Sequence, residues 1–475
     1  MIGIPIPACR MQSKSWKEKI KGNFSAFLLA AVAIGTVLYG LLGHALIRWA
    51  YFRESAGWLD RFFEGRRVLP LEEYLTEADG WLLWLAGGGF VVASALVLGI
   101  TRKVFASAGA FFLISFLVFL LFEALPGLAS AIHLDNTPYY AYLSRNVRDE
   151  KLVFRTRPHF RMKRENYKGE LYSDLYGVEA PSYAYEMTTD SSGFRNPEGR
   201  TTAEIVLLGD STMEYGENDE DSFSRRLERT SGITTLNFGL GHYGPFQYLE
   251  LMQTYGLAAR PRIVLFCYSE GTDLSDVHEY LHWKATGKYY NSLPPKNLLR
   301  RFLLVLEQLY VSRYGKDETR RYPLVELELG NRHDPAVFGF LSDTRSSEEI
   351  LASEEMGILR NLLREFRDLA VKSGTRPVVF YFPIAAHIYS AYTSERSDPD
   401  WLRMRSEQIA VRANQELAVR QTVEDLGIPF LSISTVFENA AKEGKFLYYP
   451  FDTHWNSEGR EIAAEYVAQK LKEIA

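Results

Sequence analysis

Three long uncharged apolar runs in the first quarter of the chain set the strongest limit on how it can fold. They are Phe24 to Ile47, Trp81 to Ile100 and Val104 to Phe122. Each is about as long as the ~20 helical residues that cross ~30 Å of hydrocarbon. The second contains Gly87, Gly88 and Gly89, which weaken a soluble helix but suit close helix packing in a membrane. A buried soluble hairpin is the alternative, yet core helices rarely run this far without a charge. A cleaved leader fits poorly, because the first run is longer than an apolar core of ~7–15 residues and no small-x-small site follows it. The chain therefore reads as a membrane region, 24–126, with three transmembrane helices at about 24–47, 81–100 and 104–122.

Basic residues orient that region. The tail 1–23 carries Arg10, Lys14, Lys17, Lys19 and Lys21, and Thr101-Arg102-Lys103 is the whole link between the second and third runs. Short basic loops favour the cytoplasm. Segment 48–80, with Arg48, Arg53, Arg61, Arg66 and Arg67, argues the other way. With the tail cytoplasmic, three spans put everything after about residue 127 outside the cytoplasm, on a chain held in the inner (cytoplasmic) membrane. A net charge of −5 gives no basic footprint for nucleic acid. The chain's 2 cysteines cannot build a disulfide framework, and no CxxC pair suggests a metal site.

The rest of the chain changes character. Residues 127–202 form a polar, aromatic-rich extracytoplasmic lead-in, ending in turn chemistry at Asp190, Gly193 and Pro197. From residue 203 short apolar runs alternate with helical stretches. The runs are Ile205–Leu208, Ile233–Phe238, Ile263–Tyr268, Val378–Phe382 and Ile428–Ile433. They do not alternate in polarity, so they read as strands buried on both faces of a parallel sheet. Helices are expected over Ser222–Arg229, Ser347–Ser373, Trp401–Leu426 and Ser457–Ile474, the last capped by Asn456 or Ser457. This predicts a doubly wound α/β domain over 203–475. Its long third-to-fourth strand gap suggests a cap insertion at 275–345. Ligands bind such sheets at the carboxyl ends of the strands.

Four motifs fall there. The first strand exits as Gly209-Asp210-Ser211, which on its own reads first as a strand-to-helix turn with Ser211 as the N-cap. Near the end stands Asp452-Thr453-His454-Trp455, just before the last helix. A serine nucleophile needs a base, and the base needs an orienting group. In a chain with 9 His, an Asp-x-His at a strand-to-helix junction is a candidate for both. After the second strand comes Asn237-Phe-Gly239-Leu-Gly241-His242, and after the third Glu270-Gly271-Thr272-Asp273. Glycine-rich exits expose backbone N–H groups, the material of an oxyanion hole, although ordinary turns look the same. His242 reads as a loop histidine or as a group entering the site. Asp273 and Asp276, without His or Cys beside them, point to loop bracing and not to a metal, and Cys267 to a core position.

In this order the four motifs resemble the SGNH/GDSL hydrolase superfamily, over roughly residues 185–475. The lead-in Gly193-Phe-Arg-Asn-Pro197 is similar to membrane-anchored bacterial members. Asp452-Thr-His454-Trp is similar to the motif of alginate-type O-acetylation proteins, where it precedes the serine; here it follows. The resemblance implies a flavodoxin-like, SGNH-type form of the α/β domain, with Ser211 as nucleophile, His454 as base and Asp452 as its orienting carboxylate. Oxyanion donors would be the Ser211 N–H, a backbone N–H at Gly241 or His242, and the Thr272 side chain. Two positions depart from the pattern. Thr272 stands where the superfamily has Asn, and His242 where its loop has a second glycine, so that loop would need another conformation.

The expected function is a membrane-anchored serine esterase or deacetylase acting on acyl esters, foremost O-acetyl, of an envelope or exported glycan, with no cofactor and no metal. One alternative is an O-acyltransferase working with a partner acyl carrier or polysaccharide-export proteins. Another is a catalytically weak SGNH-like glycan-binding or assembly protein, motivated by Thr272 and His242.

Overall fold

The computed structural model describes residues 145–167, 181–286 and 322–474. The three apolar runs, the tail and part of the 275–345 stretch lie outside them. Among the described residues no helix is long and apolar enough to cross a membrane.

In chain order the strands are β1 (Asn146–Asp149), β2 (Val153–Thr156), β3 (Arg161–Tyr167), β4 (Tyr183–Thr188), β5 (Ile205–Leu208), β6 (Thr235–Asn237), β7 (Ile263–Ser269), β8 (Leu324–Leu329), β9 (Arg332–Val337), β10 (Arg376–Phe382) and β11 (Phe430–Ser432). The helices are α1 (Ser211–Glu214), α2 (Phe223–Ser231), α3 (Pro245–Leu251), α4 (Asp273–Thr286), α5 (Ser347–Leu351), α6 (Glu354–Lys372), α7 (Ala385–Tyr389), α8 (Pro399–Val411), α9 (Asn414–Asp425), α10 (Ser434–Lys442) and α11 (Ser457–Ile474).

The expected parallel sheet is present, in the order β11-β10-β7-β5-β6. That is the flavodoxin-like arrangement, with its switch point between β5 and β7. Every residue of β5 and β7 is buried, which explains why these strands show no polar alternation. Odd and even positions serve opposite layers. Val206, Leu208, Val264, Phe266, Val379 and Tyr381 pack with α3, α4, α6 and α9. Ile205, Leu207, Leu265, Cys267, Val378 and Phe380 pack with α2, α10 and α11. The sheet is thus sealed on both faces and only its ends face outward.

Two expected helices are each broken. Ser347–Ser373 becomes α5 and α6, because Ser353 turns extended and its hydroxyl accepts the Met356 N–H to start a new helix. Trp401–Leu426 becomes α8 and α9, interrupted at Arg412 and Ala413. The lead-in holds two antiparallel hairpins, β1–β2 and β3–β4. Leu152, Val153 and Phe154 of the first join the core on one sheet face. Tyr185 and Met187 of the second form a small cluster with Tyr215 and Tyr449. Hairpin β8–β9 lies within 275–345 and sends Val325, Leu327 and Leu329 into the other face's core.

Candidate active site

The exit of β5 is fixed by tight packing. A Cβ on Gly209 would stand 2.4 Å from Met213 Cγ, and one on Gly239 2.5 Å from Met213 Cβ. Only glycines let Met213 seat α1 between the two loops. Asp210 caps α1 by accepting the Thr212 N–H at 2.8 Å. Burial pushes the Asp210 carboxyl up, against the pull of that N–H and of His454. Ser211, the first helical residue, is half-buried and so stays reachable.

The turn after Gly193 explains the Phe-Arg-Asn-Pro sequence. Arg195 is buried and donates to the carbonyls of Glu186 (2.8 Å), Glu214 (2.9 Å) and Gly216 (3.0 Å). Asn196 exchanges bonds with the Asn237 backbone, at 2.8 and 2.9 Å. Asn237 Nδ2 then donates to Met213 O at 2.8 Å. The motif braces the Ser211 helix and the β6 loop from behind.

Asp452 and His454 sit in a tight loop clamped at its base. Asn456 donates its N–H to Leu447 O at 3.0 Å, and its side chain accepts the Gly459 N–H at 2.9 Å, capping α11. Trp455 is buried against Phe223, Phe382 and Phe437. These anchors turn both polar side chains inward, where each is about 1% exposed. His454 Nδ1 donates to Asp452 Oδ1, as does the His454 N–H at 3.1 Å. That bond makes Nε2 the basic nitrogen of the neutral ring. The Tyr215 ring lies flat on the His454 ring, centroids 4.2 Å apart and planes 6° apart. Tyr215 ends α1, its N–H donating to Ser211 O at 2.8 Å. Ser211 and His454 therefore both border Tyr215.

The candidate oxyanion donors separate. The Gly241 N–H, expected as one of them, donates instead to Glu214 Oε2 at 3.0 Å. Glu214 is buried and paired with the Arg145 guanidinium through two bonds, 3.1 and 3.2 Å. His242 adopts φ +64°. This is the left-handed region, which glycine enters more readily than other residues. Desolvation of the His242 ring lowers its pKa, and the positive charges of Arg145 and His454 add to that. The residue keeps solvent contact, which screens the size of the effect. Thr272 follows β7, the neighbour of β5, and its Oγ1 is buried without a hydrogen-bond partner. Asp273 braces this loop, accepting the Ser269 N–H (3.0 Å) and the Tyr248 hydroxyl (2.9 Å). Among the described residues no three His, Cys, Asp or Glu side chains are grouped to hold a metal.

Sequence reasoning missed four groups. Glu214 and Tyr215 could have been found, since they lie one helical turn beyond Ser211. Arg145 carries no local signal. Glu270 and His387 form a buried pair, Nδ1 2.9 Å from Oε2. Burial pulls the His387 pKa down, but the Glu270 carboxylate outweighs it and raises it.

Comparison with known proteins adds a family match. No curated protein matches the chain. Solved structures that align with it include a GDSL-like lipase from Bacteroides thetaiotaomicron, at 14% identity, 57% of this chain, 88% of that one and TM-score 0.29. A lipase/acylhydrolase from Enterococcus faecalis aligns at 10% identity, 57% and 95% coverage and TM-score 0.28. An acetyl xylan esterase aligns at 12% identity, 56% and 98% coverage and TM-score 0.28. The model of the SGNH hydrolase-like domain of the acetyltransferase AlgX matches residues 344–474, the part holding Asp452 and His454. Over that segment the chain is similar to an AlgX-type SGNH hydrolase-like domain, within the superfamily that its motifs resemble.

Proposed function

We propose that this chain is a serine acyl-ester enzyme of SGNH type, acting on O-acetyl groups of an envelope or exported glycan from the outer side of a membrane anchor. The observation that carries the reading is the buried Asp452–His454 pair stacked on Tyr215, one helical turn from the reachable Ser211. Ser211 Oγ attacks the acyl carbonyl carbon while His454 Nε2 takes its proton. Asp452 holds the Nδ1 proton and stabilises the imidazolium. The oxyanion is met by the Ser211 and His242 N–H groups and by Thr272 Oγ1, a buried hydroxyl with a hydrogen bond to give. With Gly241 held by Glu214, His242 is the backbone donor of its loop. His454 then returns the proton to the leaving sugar oxygen; in the second half a hydroxyl of the acceptor gives His454 its proton as its oxygen attacks the acyl carbon, and Ser211 Oγ leaves with that proton. Three polar donors remain where the superfamily has three, which favours a working site over a decayed one.

Water as that acceptor gives a deacetylase. A sugar hydroxyl gives an O-acetyltransferase, the reading that the AlgX-type match favours. The full-length chain is expected to release acetate from an acetylated polysaccharide, and Ser211→Ala is not. Acetate released without any added glycan acceptor supports hydrolysis. Acetyl groups found only on an added acceptor support transfer. Equal acetate release by Ser211→Ala contradicts both.

A further inference from the structure

We infer that Tyr215 is a positioning residue for the Asp452–His454 pair, and that Tyr183 of β4 completes its hydrogen-bond chain. The inference rests on the assignment of Asp452 and His454 as orienter and base. Tyr215 is buried, and its hydroxyl donates to Asp452 Oδ2 at 3.3 Å, the carboxylate oxygen that His454 does not use. The Tyr215 and Tyr183 hydroxyls also hydrogen-bond each other. A phenol has one proton to give. Tyr215 gives its own to Asp452, so it must accept that of Tyr183. The chain of donation runs Tyr183 to Tyr215 to Asp452, and His454 donates to the same carboxylate from the other side.

This geometry does two things that core packing alone does not. Asp452 is held from both oxygens, so its plane cannot rotate away from Nδ1. At 3.3 Å the phenol bond is long for two oxygens, and the flat ring stack adds a second constraint on the imidazole plane beside the Nδ1–Asp452 bond. The phenol bond also draws negative charge off Asp452, so the carboxylate stabilises the imidazolium less than it would alone. The other groups facing His454 are Asp210 beside α1 and His242 in the β6 loop, both felt electrostatically. Neither touches Asp452 Oδ2 in the way Tyr215 does.

The test is histidine-selective carbon-13 NMR titration of the full-length chain, whose 9 His include one assignable by His454→Gln. The rate of covalent labelling of Ser211 by a fluorophosphonate, measured against pH, runs beside it. Tyr215→Phe keeps the stack and loses the donor. It should raise the His454 pKa by about half a unit, and the acid limb of labelling should move up with it. Tyr215→Leu loses the stack and should slow labelling at plateau pH about tenfold or more, with little change in probe affinity. Tyr183→Phe should shift the titration in the same direction but less, and it decides the matter if Tyr215→Phe does not fold. An unchanged or lowered His454 pKa in the Phe variants overturns the inference. No labelling of the wild type would overturn the serine reading alone, and the NMR arm would still decide the role of Tyr215.

Discussion

His242 stands where the superfamily that the motifs resemble has glycine, and its backbone is left-handed. At φ +64° its Cβ crowds the following carbonyl, a strain of roughly 1–2 kcal/mol for a residue other than glycine. Part of that is returned on substitution by glycine, less the extra chain entropy that glycine loses on folding. His242→Gly should therefore be at least as stable as wild type, by up to about 1 kcal/mol in urea unfolding. A loss of more than about 1 kcal/mol would mean that the ring holds the loop, contrary to this account. The Glu270–His387 pair carries a pH signature of its own. The folded-state pKa of His387 is raised above its unfolded value. Its stabilisation is complete below about pH 6.5 and is lost as pH rises through the folded value. As pH rises above about 6.5, wild type should lose stability that His387→Gln does not lose. Equal slopes for the two proteins would contradict the pairing.

At the scale of elements, α1 is a single helical turn that cannot hold itself. Three partners fix it: Met213 between two glycines, Arg195 on its last carbonyls, and the Arg145–Glu214 ion pair. Glu214→Gln would leave the buried Arg145 charge without its carboxylate and also weaken the hold on the Gly241 N–H. A loss of about 3 kcal/mol is expected, the scale of breaking a buried pair; a loss under about 0.5 kcal/mol would show the pair to be incidental. The sheet strands were readable from the sequence, because a strand buried on both faces is a short apolar run without polar alternation, and β5 and β10 also end just before Gly209 and Pro383. The breaks within 347–373 and 401–426 were not, since apolar periodicity runs through both and only the Ser353 cap marks one of them. Strand β3, Arg-Met-Lys-Arg-Glu-Asn-Tyr, is too polar to announce itself. The pairing of Asp452 with His454 was legible in their spacing, and Ser211 in its place at the end of β5. Arg145 and Tyr183 were not, because they lie just before β1 and in β4, far in sequence from the Glu214 and Tyr215 that they meet, and no local pattern records that.

At the scale of the molecule, the lead-in and the α/β domain share structure. Leu152, Val153 and Phe154 sit in a sheet-face core, Arg145 neutralises Glu214, and Tyr183 meets Tyr215. A chain beginning at residue 203 would leave Glu214 charged and buried without its guanidinium, so it should aggregate or stay unfolded, while one beginning at 131 should fold. Comparable circular dichroism and unfolding midpoints for the two would contradict this. The proposed reaction depends on Ser211 being a nucleophile activated by His454. It is tested most directly by mass spectrometry of the full-length chain after reaction with a fluorophosphonate. One adduct is expected, on the peptide containing Ser211, absent in Ser211→Ala and strongly slowed in His454→Gln. A folded wild type that takes up no probe, or takes it up equally in Ser211→Ala, would contradict it.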